Sequence, residues 1–241
     1  MKRFTDLIIS FLGLVLLSPV ILPILIIVWL QDFHNPFYVA SRVGKNEKIF
    51  KMIKLRSMKI NADKSGVDST SSNDSRITTV GKFIRKFKLD EISQLINVFI
   101  GDMSLVGPRP NVKRETDLYT LEEKHLLSVK PGITDFSSIV FSDEGDILKD
   151  SDDPDLDYNQ LIRPWKSRLG IFYIKNRSLA LDFILIFLTV LAILNRDLAL
   201  NKINKNLKRL NANDVLLKIA KRNVDLIPAP PPGSNKVVES R

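Results

Sequence analysis

Asp90 and Glu91 stand side by side in Lys88-Leu89-Asp90-Glu91, inside a run from Gly81 to Pro110 rich in lysine and arginine. A carboxylate set beside bound Mg²⁺ and cationic side chains can attack a phosphate. Adjacent acids on a helix point about 100° apart and are usually solvated, so the pair gains meaning only from its surroundings. Arg85 lies about one and a half helical turns earlier, and Lys86 and Lys88 are close. Arg109 sits between Pro108 and Pro110, which restrict its backbone and suit its guanidinium to bidentate phosphate contact. Lys54, Arg56 and Lys59 add further positive charge. With Mg²⁺ these groups could neutralise a pyrophosphate. The same cations could hold anionic lipid headgroups, and the two readings are compatible.

Other chemistries lack their residues. The chain has no G-x-x-x-x-G-K-[ST], G-x-G-x-x-G, G-x-S-x-G or H-E-x-x-H pattern. Its two histidines, His34 and His125, are far apart, and it has no cysteine, which excludes a disulfide framework and Cys-ligated metal. The net charge of +9 comes from 36 Lys and Arg against 27 acids. Such a balance fits nucleic acid, anionic lipid or phosphorylated ligands. No nucleic-acid reader motif accompanies it, and an apolar segment favours the last two.

That segment runs from Leu7 to Leu30 without a charge. As one helix it would cover roughly 36 Å, enough to cross a bilayer core of roughly 30 Å. It is long for a signal peptide and no small-x-small cleavage site follows it. Ser18-Pro19 and Pro23 predict a kink or break in its middle. Both flanks are basic: Lys2 and Arg3 before it, Arg42, Lys45, Lys48, Lys51 and Lys54 after it. Both ends are therefore expected in the cytoplasm. A helix-break-helix hairpin within one leaflet satisfies both facts; a kinked spanning helix remains the alternative.

Alternation over Tyr38–Ala40 and Lys48–Met58 predicts short strands, and residues 61–76 read as a polar loop. From Thr79 a helix is expected, with Leu89, Ile92, Leu95, Ile96 and Phe99 on one face and Gly101 at its end. Residues 113–129 suggest an amphipathic helix stopped by Pro131-Gly132. Eight acids between residues 143 and 157 lack the spacing of a calcium loop and read as solvated. Leu179–Leu194 is short for a span and suits an interfacial or buried helix. Residues 201–222 read as a basic amphipathic helix, and Pro228–Pro232 with the tail to Arg241 as disordered.

The chain resembles the bacterial sugar transferases, or monotopic phosphoglycosyl transferases. The resemblance rests on the Ser18-Pro19 break, Ile49–Met58, Leu89-Asp90-Glu91 with Gln94-Leu95 and Asn97-Val98, Gly101–Pro110, Lys130–Thr134, and Tyr173–Ser178 with Leu181-Asp182. It covers roughly residues 1–195. It implies an α/β, mainly helical fold with a re-entrant membrane helix (1–35) and a small cytosolic catalytic domain with amphipathic interfacial helices (36–200). Residues 201–241, beyond the resemblance, read as a third part, a basic amphipathic helix and disordered tail. The implied location is the cytoplasmic face of the cell inner membrane, with both termini cytoplasmic.

The resemblance also implies transfer of a sugar-1-phosphate from a UDP-sugar to a polyprenyl phosphate, usually undecaprenyl phosphate, with release of UMP. Such a step begins assembly of a surface glycan such as capsule, exopolysaccharide or O-antigen. Carried over by position, Asp90 would be the covalent nucleophile and Mg²⁺ would sit beside it. Glu91 would complete the dyad, by positioning metal or assisting proton removal, while Arg85 and Arg109 would hold phosphates. A homodimer is a further assembly to weigh. A non-catalytic scaffold of the same fold and a conventional glycosyltransferase releasing UDP are the rival readings. One departure stands out: after Pro-Gly-Ile-Thr the family continues with Gly, an aromatic and a segment ending Gly-Arg, whereas here Asp135–Phe141 leads into the acidic run. This bears on the identity of the sugar rather than on the dyad.

Overall fold

The computed structural model describes residues 1–66 and 69–239. Val67 and Asp68 of the expected polar loop, and Ser240 and Arg241 of the tail, lie outside the described residues. The chain opens with α1 (Lys2–Leu30), a single 29-residue helix with Pro19 and Pro23 inside it. The break expected at Ser18-Pro19 does not divide the helix. Pro19 lacks the N–H that would reach the Val15 carbonyl, and the Ser18 hydroxyl donates to that carbonyl instead, at 2.7 Å.

α1 lies along the rest of the protein rather than projecting from it. Lys2 Nζ pairs with Asp182 Oδ2 at 2.5 Å, and Arg3 donates to the Phe99 carbonyl at 2.7 Å. Asp6 accepts from Ser104 Oγ (2.9 Å) and Leu105 N (3.1 Å). Near the far end Ile24 and Val28 pack with Leu55 and Ile84. The outer face, including Leu12, Leu16, Leu22 and Ile26, is apolar and exposed.

Strands β1 (Phe37–Val43) and β2 (Ile49–Leu55) pair antiparallel from Phe37↔Leu55 to Val43↔Ile49. The helix expected from Thr79 is three: α2 (Thr79–Lys86), α3 (Leu89–Ile92) and α4 (Gln94–Ile100). Lys88, with φ of 55°, turns the chain between α2 and α3, and Gly101, with φ of 105°, ends α4. β3 (Ser104–Val106) pairs parallel with β4 (Gly132–Thr134). The expected helix over 113–129 is instead α5 (Lys113–Asp117) and a 3₁₀ turn, Glu123–Ser128. Reciprocal bonds interrupt it: Thr120 N donates to Glu123 Oε2 and Glu123 N to Thr120 Oγ1, each at 3.1 Å.

Short helices α6 (Phe136–Val140), α7 (Glu144–Ile147) and α8 (Pro154–Asp157) follow. A π-turn, Tyr158–Ile162, then leads into α9 (Arg163–Asn176). α10 (Leu179–Leu194) buries Leu181, Leu185 and Leu188 and exposes Phe183, Phe187, Val190 and Leu194, so both of its faces are apolar. α11 (Arg196–Arg209) and α12 (Asp214–Lys221) close the helical part.

No core boundary falls at residue 200. Ala199, Leu200, Ile203, Leu207, Leu216 and Ile219 belong to the cluster that holds Val98, Phe136, Leu169 and Leu185. The apolar face of the C-terminal helices is therefore spent on this core. The proline-rich tail, expected as disordered, is also packed. Ala229 N donates to the Gln160 carbonyl (3.0 Å), Thr120 Oγ1 to the Pro232 carbonyl (2.5 Å) and Gln160 Nε2 to the Val238 carbonyl (2.7 Å). Prolines suit this extended path, since they give up no donor that the path needs.

Two glycines bring β3 and β4 together. A Cβ on Gly132 would lie 2.1 Å from Gly107 N, and one on Gly107 would lie 2.6 Å from the Lys130 carbonyl. Gly107 leads directly into Pro108-Arg109-Pro110, so this contact sets where Arg109 starts. Gly132→Ala is expected to destabilise the protein by about 1–3 kcal/mol, read from thermal or denaturant unfolding in detergent, because backbone must move to admit the methyl group.

Candidate active site

Asp90 and Glu91 occupy the first turn of α3, immediately after the left-handed Lys88. Their placement is fixed from the helix that follows. Asn97, fully buried on α4, donates from Nδ2 to the Lys51 carbonyl (2.7 Å) and accepts at Oδ1 from Ile53 N (2.8 Å). Ser93 Oγ adds a bond to the Ile53 carbonyl at 3.2 Å. α3 and α4 are thereby hydrogen-bonded to β2 much as a neighbouring strand would be. Since β2 carries Lys54, the acids and that lysine are in register.

Lys54 Nζ stands 3.8 Å from Asp90 Oδ2, and Arg109 Nη2 stands 2.8 Å from Glu91 Oε1. Among the described residues, the Asp90 carboxylate accepts no hydrogen bond, although its side chain is only 11% exposed. The two acids thus differ: Glu91 is tied to an arginine, and Asp90 faces a lysine at longer range. Burial alone would raise Glu91, but Arg109, Lys88 and Lys54 outweigh it and hold the carboxyl at about 2. Glu91 in turn raises Arg109. Burial and the Arg109 charge push Lys54 down to about 8, against the opposing pull of Asp90 and Glu91.

A cavity of about 780 Å³ is lined by all seven residues singled out in the sequence: Lys54, Arg56, Lys59, Arg85, Asp90, Glu91 and Arg109. They are not equally available. Arg56 is committed to structure, pairing with both oxygens of Asp32 (2.6 Å to Oδ1) and donating from Nε to the Asn35 carbonyl at 2.9 Å. Its sequence context, a cation after an apolar segment, does not distinguish a phosphate ligand from a tie to the end of α1. Among the described residues, Arg85 and Lys59 have side chains with no hydrogen bond or ion pair, so their charges are free for an anion.

The cavity also holds groups that sequence reasoning passed over. The acidic run is only partly a solvated loop: Asp143 and Glu144 line the cavity, and Asp155 accepts from Ser69 N at 2.7 Å in the interior. Glu144 pairs with Lys166, which also lies 5.3 Å from the Tyr158 ring. Burial opposes ionisation of Glu144, and Lys166 overcomes it, giving a net lowering. The signal for Lys166 was its place one turn into a helix that opens Arg-Pro-Trp-Lys, which carries no catalytic pattern. Glu144 was hidden among seven other acids.

The described residues contain no group of three or more His, Cys, Asp or Glu able to hold a metal. Mg²⁺ does not require one, since it commonly keeps several waters and uses one or two carboxylates with substrate phosphate oxygens. The unbonded Asp90 carboxylate suits that mode.

The family model for bacterial sugar transferases matches residues 1–196. The chain belongs to the bacterial sugar transferase family. A UDP-N-acetylgalactosamine-undecaprenyl-phosphate N-acetylgalactosaminephosphotransferase of Aeromonas hydrophila is 33% identical over 198 residues, 80% of this chain and 43% of the relative. The exopolysaccharide production protein ExoY of Sinorhizobium fredii is 32% identical over 207 residues, 80% of this chain and 84% of the relative. A UDP-glucose:undecaprenyl-phosphate glucose-1-phosphate transferase of Escherichia coli is 36% identical over 194 residues, 79% of this chain and 39% of the relative. The chain thus spans less than half the length of two of these relatives. Membrane association, a property of this sugar transferase family, agrees with the long apolar α1.

The lysine gives a pH test. As pH rises past about 8, Lys54 loses its proton and the cavity one of its cations. Affinity for a diphosphate such as UDP, measured by calorimetry, is expected to fall roughly tenfold across that transition. Lys54→Arg, which stays charged, should carry the affinity to higher pH. A pH-independent affinity would remove Lys54 from the phosphate site.

Proposed function

We propose that the protein transfers a sugar-1-phosphate from a UDP-sugar to undecaprenyl phosphate or a similar polyprenyl phosphate, releasing UMP, as the first membrane step of a surface glycan. The observation that carries this reading is the asymmetric dyad: Asp90, its carboxylate without a hydrogen bond among the described residues, beside Glu91 held by Arg109, in one cation-lined cavity. The names of the Aeromonas and Escherichia relatives describe sugar-phosphate transfer from a UDP-sugar to undecaprenyl phosphate.

In the first half-reaction an Asp90 carboxylate oxygen attacks the sugar-side phosphorus of the diphosphate. A phosphorus–oxygen bond to Asp90 forms, the bond to the bridging oxygen breaks, and UMP leaves with that oxygen. In the second, a phosphate oxygen of the lipid attacks the same phosphorus and Asp90 departs as carboxylate. Lys54, Arg85 and Arg109 bind and orient the diphosphate. Glu91, held as a carboxylate at about 2 by Arg109 and its neighbouring lysines against burial, is a weak base. Its part is to fix Arg109. Mg²⁺, held by Asp90 together with phosphate oxygens, would supply charge neutralisation on the diphosphate when bound.

The membrane reading is an undivided α1 lying along one leaflet, in place of a helix-break-helix hairpin, with both ends on the cytoplasmic face of the inner membrane. A straight helix of 29 residues is about 44 Å long. Its first turn is tied to Asp182 and its last to Arg56, both parts of one packed body, while its outer face is apolar. Ties from both ends to one packed body favour this placement over a spanning helix.

Purified protein with Mg²⁺, undecaprenyl phosphate and a panel of UDP-sugars should release UMP. Asp90→Asn should abolish a trapped phosphosugar adduct in intact-mass spectra, and an adduct that survives would exclude Asp90. UDP release would indicate a conventional glycosyltransferase, and absence of turnover with every donor a scaffold. For topology, cysteines placed at positions 2 and 45 should label from the same side of the membrane; labelling from opposite sides would restore a spanning helix.

A further inference from the structure

The cavity has a second cationic corner, far in sequence from the dyad. Arg196 follows the end of α10, where Thr189, Ala192 and Ile193 also line the cavity. Its Nε donates to Ser142 Oγ (3.1 Å), and its Nη2 donates to the Val140 carbonyl (3.2 Å) and pairs with Asp143 Oδ2 (2.8 Å). Three partners thus fix the guanidinium while 32% of the side chain stays exposed.

Asp143 does not cancel this charge. The same Oδ2 also takes Arg222 Nη2 at 3.2 Å, and the Arg222 side chain is only 10% exposed, its guanidinium 5.3 Å from the Phe141 ring centre. Two guanidiniums share one carboxylate, which leaves a net positive charge, and the exposed member is Arg196. The flank of the corner is apolar: Ile193 leads to Leu194, 80% exposed, and on to the outward stripe of Phe183, Phe187 and Val190. A fixed cation at the edge of an exposed hydrocarbon surface is complementary to an anion with a hydrocarbon tail. A nucleotide, polar along its length, gains nothing from that stripe.

We propose that Arg196 binds the phosphate of the polyprenyl phosphate acceptor, with the start of its isoprenoid tail along Ile193 and Leu194. Arg222, which lies beyond the matched residues 1–196, acts through Asp143 as a positioning residue. The acceptor identity rests on the transfer reading given above; the site itself does not depend on Asp90 as nucleophile.

A two-step reaction allows donor and acceptor to be read separately, in nanodiscs carrying the full chain. Exchange of labelled UMP into UDP-sugar reports the donor half-reaction, and lipid product reports the whole. Arg196→Gln is expected to raise the KM for undecaprenyl phosphate roughly ten- to a hundredfold, the loss of one charged hydrogen bond, with exchange unchanged. Arg222→Met should shift the same KM in the same direction by less, and Arg222→Lys should recover most of it. Arg196→Lys, which keeps the charge, separates a binding defect from a folding one. Exchange falling in step with transfer would assign Arg196 to the donor and overturn the proposal, as would an unchanged acceptor KM. If the wild-type protein shows neither exchange nor transfer, the transfer reading fails. Retention of undecaprenyl phosphate in native mass spectra then decides the site: retention lost in Arg196→Gln supports it, and equal retention overturns it.

Discussion

The bonds between Asn97 and the free edge of β2 govern the rest of the site. A buried amide that both donates to Lys51 and accepts from Ile53 fixes a helix against a strand edge in a single register. Removing it would leave the part-buried Ile53 N–H and Lys51 carbonyl without these partners, a cost of about 1 kcal/mol for each bond. The Asn97 backbone carbonyl also accepts from Gly101 N (3.0 Å), Asp102 N (2.9 Å) and Met103 N (3.1 Å). One residue therefore ends α4, launches β3 and sets the distance between Lys54 and the two acids. β3 continues through Gly107 to Arg109, so the cation that holds Glu91 descends from the same anchor.

That arrangement explains how neighbouring carboxylates come to differ. Burial opposes ionisation of Glu91, and the cations around it outweigh that effect. Arg109 makes a close pair with Glu91 and leaves it little freedom. Lys54, held down to about 8 by its own burial and by Arg109, stands 3.8 Å from Asp90 and gives it a weaker hold. A nucleophilic carboxylate benefits from that looser grip, because a tight guanidinium pair would have to break before attack on phosphorus.

What the sequence revealed depended on whether a property was local. Asp90, Glu91, Arg109 and the glycine–proline strings were legible because their chemistry is carried by adjacent residues, and all seven nominated residues do line one cavity. The left-handed Lys88 was not legible, since a lysine in that backbone region has no sequence signature; hence one helix was expected where three stand. Arg56 illustrates a second limit: its partner, Asp32, is 24 residues away, and a pairing of that span cannot be read from spacing. Glu144, Lys166 and Arg196 reach the cavity only through the packing of α7, α9 and α11. The docking of the tail has no compositional signature, as proline-rich segments are extended whether free or docked.

The remaining constraint is depth. Under the proposed transfer, a water-soluble nucleotide donor and a lipid-borne acceptor would meet at the same carboxylate, which requires the cavity to open at the level of the lipid phosphate. The outer faces of α1 and α10 are both apolar, and the Lys2–Asp182 pair joins the two helices at their N-terminal turns. Both helices present apolar faces on a body whose cavity is polar and cationic. Ser18 satisfies the carbonyl that Pro19 leaves without a donor, so the segment can lie in apolar surroundings without an exposed backbone group at that point. On the proposed membrane placement, a helix held by both ends with an apolar outer side would support the body at a fixed height, and with it the reach of Asp90.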